Sequence, residues 1–204
     1  MNLLHEGRNI LFIDFESSGV FGKSHSNIEI TEVAMKLYTD LGTNQQTITQ
    51  YQQLYRIDGT LSDFMIKHTG ITPEMLKGQP HYSQDQKVIQ QFVSQADIIV
   101  AHGAKLELKS LRMIGINLEN TLIFDTLLFT QKLIPNLSKY GMQNLRKYFK
   151  IPNGNAHRAM GDVDDMITIY HALTDQNHLS DKWSQLRSQK RFKSSDFCEA
   201  ISNT

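Results

Sequence analysis

Apolar and polar positions recur with two different periods along this chain, and the change of period divides it. Asn9–Asp14 (NILFID) is a short apolar run ending in an acid, the pattern of a buried strand. Ile28–Tyr38 alternates through Ile28 and Ile30, then Val33, Met35 and Leu37, which predicts a half-buried strand with a slip near Thr31–Glu32. Thr47–Ile57 is rich in β-branched and aromatic residues and reads as its antiparallel partner, with turn chemistry between them at Leu41–Gly42–Thr43–Asn44. The chain thus opens as a three-stranded meander. Helical spacing follows. Thr72–Pro73–Glu74 is a helix start, with an N-cap residue, proline at the first helical position and an acid in the first turn. Gln84–Gln95 gathers Val88, Ile89, Phe92 and Val93 on one face, Lys105–Ile114 aligns Leu108, Leu111 and Ile114, and Ala159–Leu173 aligns Val163, Met166, Ile167, Tyr170 and Leu173. Thr126–Leu133, stopped before Pro135, and Met142–Phe149 complete the helices, while Asp97–Ala101 and Leu122–Asp125 are short apolar strands. Antiparallel strands first, then strands alternating with helices, predict an α/β fold: a mixed sheet with helices on its faces.

Composition narrows the classes. The 204 residues are 40% hydrophobic and carry 21 basic and 21 acidic side chains, ordinary values for one folded domain. The longest apolar runs are a few residues, against the roughly 20 needed to span a bilayer. The first ten residues lack the basic-then-apolar layout of a signal peptide, and Cys198 is the single cysteine, so internal disulfides and cysteine zinc sites are excluded. The expectation is a cytoplasmic protein with no membrane association. Residues 1–130 hold 10 basic and 14 acidic groups, and residues 131–204 hold 11 and 7, so the zero net charge conceals an acidic part and a basic part. Residues 1–175 carry the pattern, and 176–204 read as a helical, basic tail.

The candidate chemistry lies in three segments. Asp14 and Glu16 stand two residues apart at a strand end, so their side chains share a face, and paired carboxylates suit Mg²⁺ or Mn²⁺. By itself this spacing is a weak signal, because acids at strand ends are common. Glu107 lies one turn into the helix after Ala101-His102-Gly103-Ala104, and Asp162 lies in the second turn of a helix that begins near Arg158, behind His157. Asp164 and Asp165 read as solvated acids on an exposed face.

Taken in order, these segments resemble the DnaQ-like DEDDh exonuclease family. Asp14-Phe15-Glu16-Ser17-Ser18-Gly19 is similar to its first motif D-x-E-T-T-G, Ile30-Thr31-Glu32-Val33-Ala34 to its second strand, and His68-Thr69-Gly70-Ile71-Thr72 to its H-G-I-T signature. Ala101-His102-Gly103-Ala104, Phe124-Asp125-Thr126 and His157-Arg158-Ala159-x2-Asp162 continue the match over roughly residues 8–175, and Lys132–Leu145 is similar to the exonuclease X-like branch. The resemblance implies a ribonuclease H-like mixed five-stranded sheet and 3′–5′ hydrolysis of single-stranded DNA or RNA ends to nucleoside monophosphates. It implies two Mg²⁺ or Mn²⁺ ions about 3.5–4 Å apart. Asp14 would bridge them, Glu16 and Asp162 would complete one ion's coordination, and Glu107 would serve the other. His157 would act as general base and contact substrate, a role suited to an imidazole of pKa about 6.5.

Phe15 and Ser17 belong to the implied substrate-binding set, Ser17 through its backbone; as a residue, Phe15 reads more readily as a core aromatic. The family carries Asp where this chain has Glu107 and Asn where it has Gly103. The longer Glu moves its carboxylate by up to about 1.5 Å, which a position-sensitive site can feel. Two other readings therefore stand beside the exonuclease: a weak or inactive nucleic-acid-binding module, and a small phosphodiesterase acting on short oligonucleotides. Lys139, Arg146, Lys147, Lys150 and Arg158 are expected along the strand's path. Lys182, Arg187, Lys190, Arg191 and Lys193, interleaved with Trp183 and Phe192, form a second basic stretch.

Overall fold

The computed structural model describes residues 7–19, 28–41, 43–119, 121–152 and 158–174, and the backbone of 198–200. Five strands form a mixed sheet, as expected. β1 (Ile10–Ser17), β2 (Ile30–Thr39) and β3 (Thr47–Leu54) make the antiparallel meander, and β4 (Ile98–Ala101) and β5 (Leu122–Asp125) run parallel to β1. A three-residue β6 (Cys198–Ala200) adds antiparallel to β5, giving the order β3-β2-β1-β4-β5-β6. The tail expected to be helical therefore returns to the sheet at these residues; its basic and aromatic positions from Lys182 to Lys193 lie outside the described residues.

The slip expected in β2 is a bulge. Glu16 pairs with Glu32 but Ser17 pairs with Ile30, leaving Thr31 as the extra residue. That insertion is what lets Ile30 share a face with Val33, Met35 and Leu37, all buried in one cluster.

The helices cover both faces. α3 (Gln86–Gln95), led in by a 3₁₀ turn at Tyr82–Asp85, and α4 (Lys105–Ile114) pack Ile89, Phe92, Leu111 and Ile114 against Leu11 and Ile13 of β1. On the other face, α5 (Thr126–Leu133), α6 (Met142–Phe149) and α7 (Ala159–Thr174) bring Phe129, Leu145, Val163 and Tyr170 against Ile10 and Phe12. Tyr170 meets Phe12 and Phe124 edge-on at ring-centroid distances of 5.3 and 5.1 Å, which seats α7 across β1 and β5. Each such aromatic pair is worth about 0.5–1.5 kcal/mol beyond the area it buries.

Two short helices precede α3. α2 (Pro73–Leu76) is the single turn that Thr72–Pro73 announces. α1 (Asp63–Thr69) has no counterpart among the expected elements. It buries Met65 and Thr69 while Phe64 faces outward at 62% exposure, so seven residues show no apolar period. Its signals are the caps: the Ser62 side chain accepts the Met65 N–H, and Gly70 closes the helix at φ 71°. No described helix is long and apolar enough to cross a membrane.

Candidate active site

β1 supplies the site by simple alternation. Ile10 and Phe12 face α7, and Asp14 and Glu16 continue that row beyond the apolar part. Leu11 and Ile13 face the opposite cluster, and Phe15 continues their row, its ring packed partly buried against that core. The structure thus gives Phe15 the core setting that its sequence pattern favours. The Ser17 hydroxyl donates to the Gly19 carbonyl at 2.8 Å, which turns the chain away from β1.

α7 brings the third acid. Its N-terminal turn lies over β1 and β2, and Asp162 meets Asp14 and Glu16 with carboxylate oxygens all within 4.8 Å of one another. The fourth acid arrives from the other side of the sheet. Gly103 takes a left-handed φ of 78°, so the chain leaves β4 and enters α4 within a few residues. Its N–H and that of Ala104 both donate to the Asp125 carboxylate, at 3.0 and 2.9 Å. This turn carries Glu107 into the interior, where only 6% of its surface is exposed. Its Oε2 has no hydrogen-bond partner among the described residues.

Three of these carboxylates, Asp14, Glu16 and Glu107, resist ionising. Burial pushes Asp14 well above the usual carboxylate range, and the charges of Glu107, Glu16, Asp162 and Glu32 push it further. Glu16 is pushed up to about 8 by burial, then by Asp162 and Glu32, with the Arg158 guanidinium opposing. Glu107 is also pushed up to about 8, mainly by burial. An oxygen-only set of acids, three of them with raised pKa values, and one orphaned buried oxygen fit a hard divalent cation such as Mg²⁺ or Mn²⁺. A second acidic group, Glu29, Asp58 and His81, also converges within 4.8 Å, but there the Glu29 oxygens are committed to the N–H groups of Asp58 and Gly59.

The chain belongs to the RNase_T exonuclease family. That family's model, described as exonuclease, matches residues 11–170, which include all four acids. The relatives are DNA polymerases III of PolC type. That of Caldanaerobacter subterraneus subsp. tengcongensis is 26% identical over 175 residues, covering 84% of this chain and 12% of its own length. That of Halalkalibacterium halodurans is 28% identical over 155 residues, covering 74% and 10%. The chain therefore spans about a tenth of the length of these relatives. Among solved structures, the zinc-bound complex of E. coli ExoI with single-stranded DNA superposes with a TM-score of 0.69 at 18% identity, over 89% of this chain and 44% of the ExoI chain. A 3′-exonuclease that recognises the histone mRNA stem-loop gives 0.68 at 18%, over 85% and 66%. Exonuclease X in complex with 5′ overhanging duplex DNA gives 0.58 at 22%, over 85% and 98%. The fold is the ribonuclease H-like one of these enzymes, and the chain is a DnaQ-like exonuclease domain.

Within this exonuclease domain the expectations for Asp165 and Arg146 need correction. His157 lies outside the described residues. Asp165 is not solvated: it is buried and pairs with Arg146 at 2.9 Å, so Arg146 is not on the strand's path either. Asp164 is exposed as expected, and pairs with Lys36. Arg158 is held by Glu32 through Nε at 3.0 Å and Nη2 at 2.7 Å. Lys139, Lys147 and Lys150 remain exposed. The expectations also left Glu32 and Asp125 without a role beyond the motifs that contain them. What marks both is a full set of donors on a buried or half-buried carboxylate, and that becomes visible only once the chain is folded.

Proposed function

We propose that this domain hydrolyses the terminal phosphodiester of single-stranded 3′ ends in a divalent-metal-dependent reaction, releasing nucleoside monophosphates. The observation that carries the reading is the convergence of Asp14, Glu16 and Asp162 within 4.8 Å, beside the buried, unsatisfied Glu107. Asp14, Glu16, Glu107 and Asp162 hold two Mg²⁺ or Mn²⁺ ions, which supply Lewis-acid activation and neutralise the four carboxylates. The chain's own groups do the rest. The imidazole of His157 accepts the proton of the attacking water, and the backbone around Ser17 holds the terminal 3′ hydroxyl. The bond that breaks joins the terminal phosphorus to the 3′ oxygen of the penultimate nucleotide, and that oxygen leaves. Phe15 supports the site from beneath, as part of the core. The relatives are DNA polymerases, which puts single-stranded DNA first among substrates, with RNA beside it because one structural neighbour recognises a histone mRNA stem-loop.

The test is a panel of 5′-labelled single-stranded DNA, RNA, recessed duplex and dinucleotide, with Mg²⁺ or Mn²⁺. Stepwise shortening from the 3′ end with mononucleotide release is expected, falling by roughly 10³-fold or more in Asp14→Ala and Asp162→Ala. Glu107 in the family's Asp position motivates the second reading, a binding module without turnover. Tight binding with no cleavage in either metal would establish that reading in place of the enzyme. Turnover confined to the dinucleotide would instead make it a small phosphodiesterase.

A further inference from the structure

Glu32 is a carboxylate with no exposed surface, placed opposite Glu16 in the β1–β2 ladder and next to the Thr31 bulge. Its position invites reading it as one more metal ligand, but its oxygens are already occupied. Oε1 accepts from Arg158 Nη2 at 2.7 Å and Gln52 Nε2 at 2.8 Å, and Oε2 accepts from Arg158 Nε at 3.0 Å and the Ala159 N–H at 3.2 Å. Four donors fill the lone-pair sites that a carboxylate offers.

The partners show what this carboxylate holds. Ala159 is the first residue of α7, and its N–H is one of the donors that a helix start leaves without an intrahelical partner. A negative charge there is also favoured by the helix dipole. The Arg158 fork is planar and bidentate, so it fixes direction as well as distance. Asp162 follows within the same turn, its N–H bonded to the Arg158 carbonyl at 3.0 Å. From the far side, Gln52 of β3 steadies Glu32 itself. Two strands of the meander thereby set where α7 begins relative to β1, the strand that carries Asp14 and Glu16.

We propose that Glu32 is a positioning residue that holds Asp162 against Asp14 and Glu16 through Arg158 and the first N–H of α7, and so sets the affinity of the site for its divalent ion. The inference rests on reading Asp14, Glu16 and Asp162 as metal ligands.

The test compares the full chain with Glu32→Gln, which keeps the shape and removes the charge, and Arg158→Lys, which keeps the charge and removes the fork. Mn²⁺ binding is measured directly, from the electron paramagnetic resonance signal of the free ion, alongside metal-free melting. Both variants are expected to bind Mn²⁺ at least about tenfold more weakly, the usual effect of removing a group that orients a metal ligand. In the nuclease assay kcat at limiting Mn²⁺ should fall, recover as Mn²⁺ is raised, and leave KM for the oligonucleotide within about twofold, a pattern that generalised loosening does not produce. Wild-type Mn²⁺ affinity in folded Glu32→Gln overturns the proposal. Should that variant not fold, wild-type affinity in Arg158→Lys overturns it and weakened affinity supports it. A parent protein that binds no Mn²⁺ overturns the metal-site reading and this proposal together. A parent that binds Mn²⁺ but cleaves nothing overturns only the exonuclease chemistry.

Discussion

Asp125 accepts the backbone N–H of Gly103 at 3.0 Å across 22 residues of chain, joining the end of β5 to the turn that launches α4. The same carboxylate accepts the Ala104 N–H at 2.9 Å and caps α5 through Leu127 and Leu128 at 2.9 and 3.3 Å. One side chain therefore starts two helices, of which one carries Glu107. This also explains why Gly103 can replace the family's Asn. The turn needs a φ of 78° and a donated N–H, and a left-handed φ is open to both residue types. A Cβ at Gly103 would meet only Leu127 Cδ1, at 4.0 Å, so the space does not forbid a side chain.

Asp125→Ala removes all four acceptances at once. The expected cost is about 2–3 kcal/mol, combining a lost helix cap with backbone donors left unsatisfied. Urea unfolding measures it, and Asp125→Asn should lose less because Oδ1 can still accept. Nuclease activity should fall in Asp125→Ala under conditions where the protein is fully folded, since Glu107 loses its anchor. A stability loss below about 0.5 kcal/mol would show that other contacts hold the turn.

Glu107→Asp restores the family's residue, and equal or higher activity with Mg²⁺ is expected. The turn at Gly103 already places the helix, and the shorter side chain draws the carboxylate back by about 1.5 Å. A large loss would mean that the site is built around the longer acid. Glu107→Gln is the complementary change: activity lost, but the metal-free protein melting higher at pH 9, because a carboxylate charged in the interior is replaced by a neutral amide.

The raised acids set a pH dependence with a definite sign. Glu16 and Glu107 stand at about 8 in the folded, metal-free protein, against about 4.3 in an unfolded chain. Between those values the folded state binds more protons than the unfolded one, so stability falls as pH rises from about 4.5 to 8. Below that window the contribution is fully present, and above it the contribution is gone. A divalent ion needs the carboxylates ionised, so its binding at pH 7 must expel protons. Calorimetric titration of Mn²⁺ in buffers of different ionisation enthalpy should show at least about one to two protons released at pH 7, from Glu16 and Glu107, and fewer at pH 10. Equal heats in all buffers at pH 7 would contradict the raised values. The fall in metal-free melting temperature from pH 5 to 8 should be shallower in Glu107→Gln.

Elements with enough length to show a period were readable directly. α4, α5 and α6 begin and end where their apolar spacing and stop signals put them, and the irregularity between Ile30 and Val33 marked a real bulge. α1 was not readable, because one buried methionine in seven residues gives no period. The acids of the site were legible as a set only through their order and motif context; singly, Glu107 looked like any acid on a helix. What a linear pattern does not carry is which charges find each other. Glu32 meets Arg158 across 126 residues, and an arginine committed to such a pair looks the same in sequence as one free to bind a strand.

The Arg146–Asp165 pair makes that point testable. Their side chains are 6% and 9% exposed, their charges meet at 2.9 Å between α6 and α7, and Arg146 also donates to the Pro152 carbonyl at 2.9 Å. Removing either partner strands the other, at about 3–5 kcal/mol for an uncompensated buried charge. The two deletions should not cost the same at every pH. Burial already raises the Asp165 carboxyl, with Arg146 opposing, so in Arg146→Met it can escape its isolation by taking a proton. A guanidinium has no such escape. Arg146→Met should therefore be least destabilised below the pKa of an unfolded aspartate and lose stability, relative to the parent, as pH rises through the folded value. Asp165→Leu should keep its full deficit between pH 5 and 8. The double variant, apolar on both sides, should recover most of the loss, because two well-packed side chains need no counter-charge. Urea unfolding of the three variants at pH 5 and pH 8 tests this directly. A deficit in Arg146→Met that is the same at both values would mean that Asp165 stays charged there, with water or another cation supplying what Arg146 had.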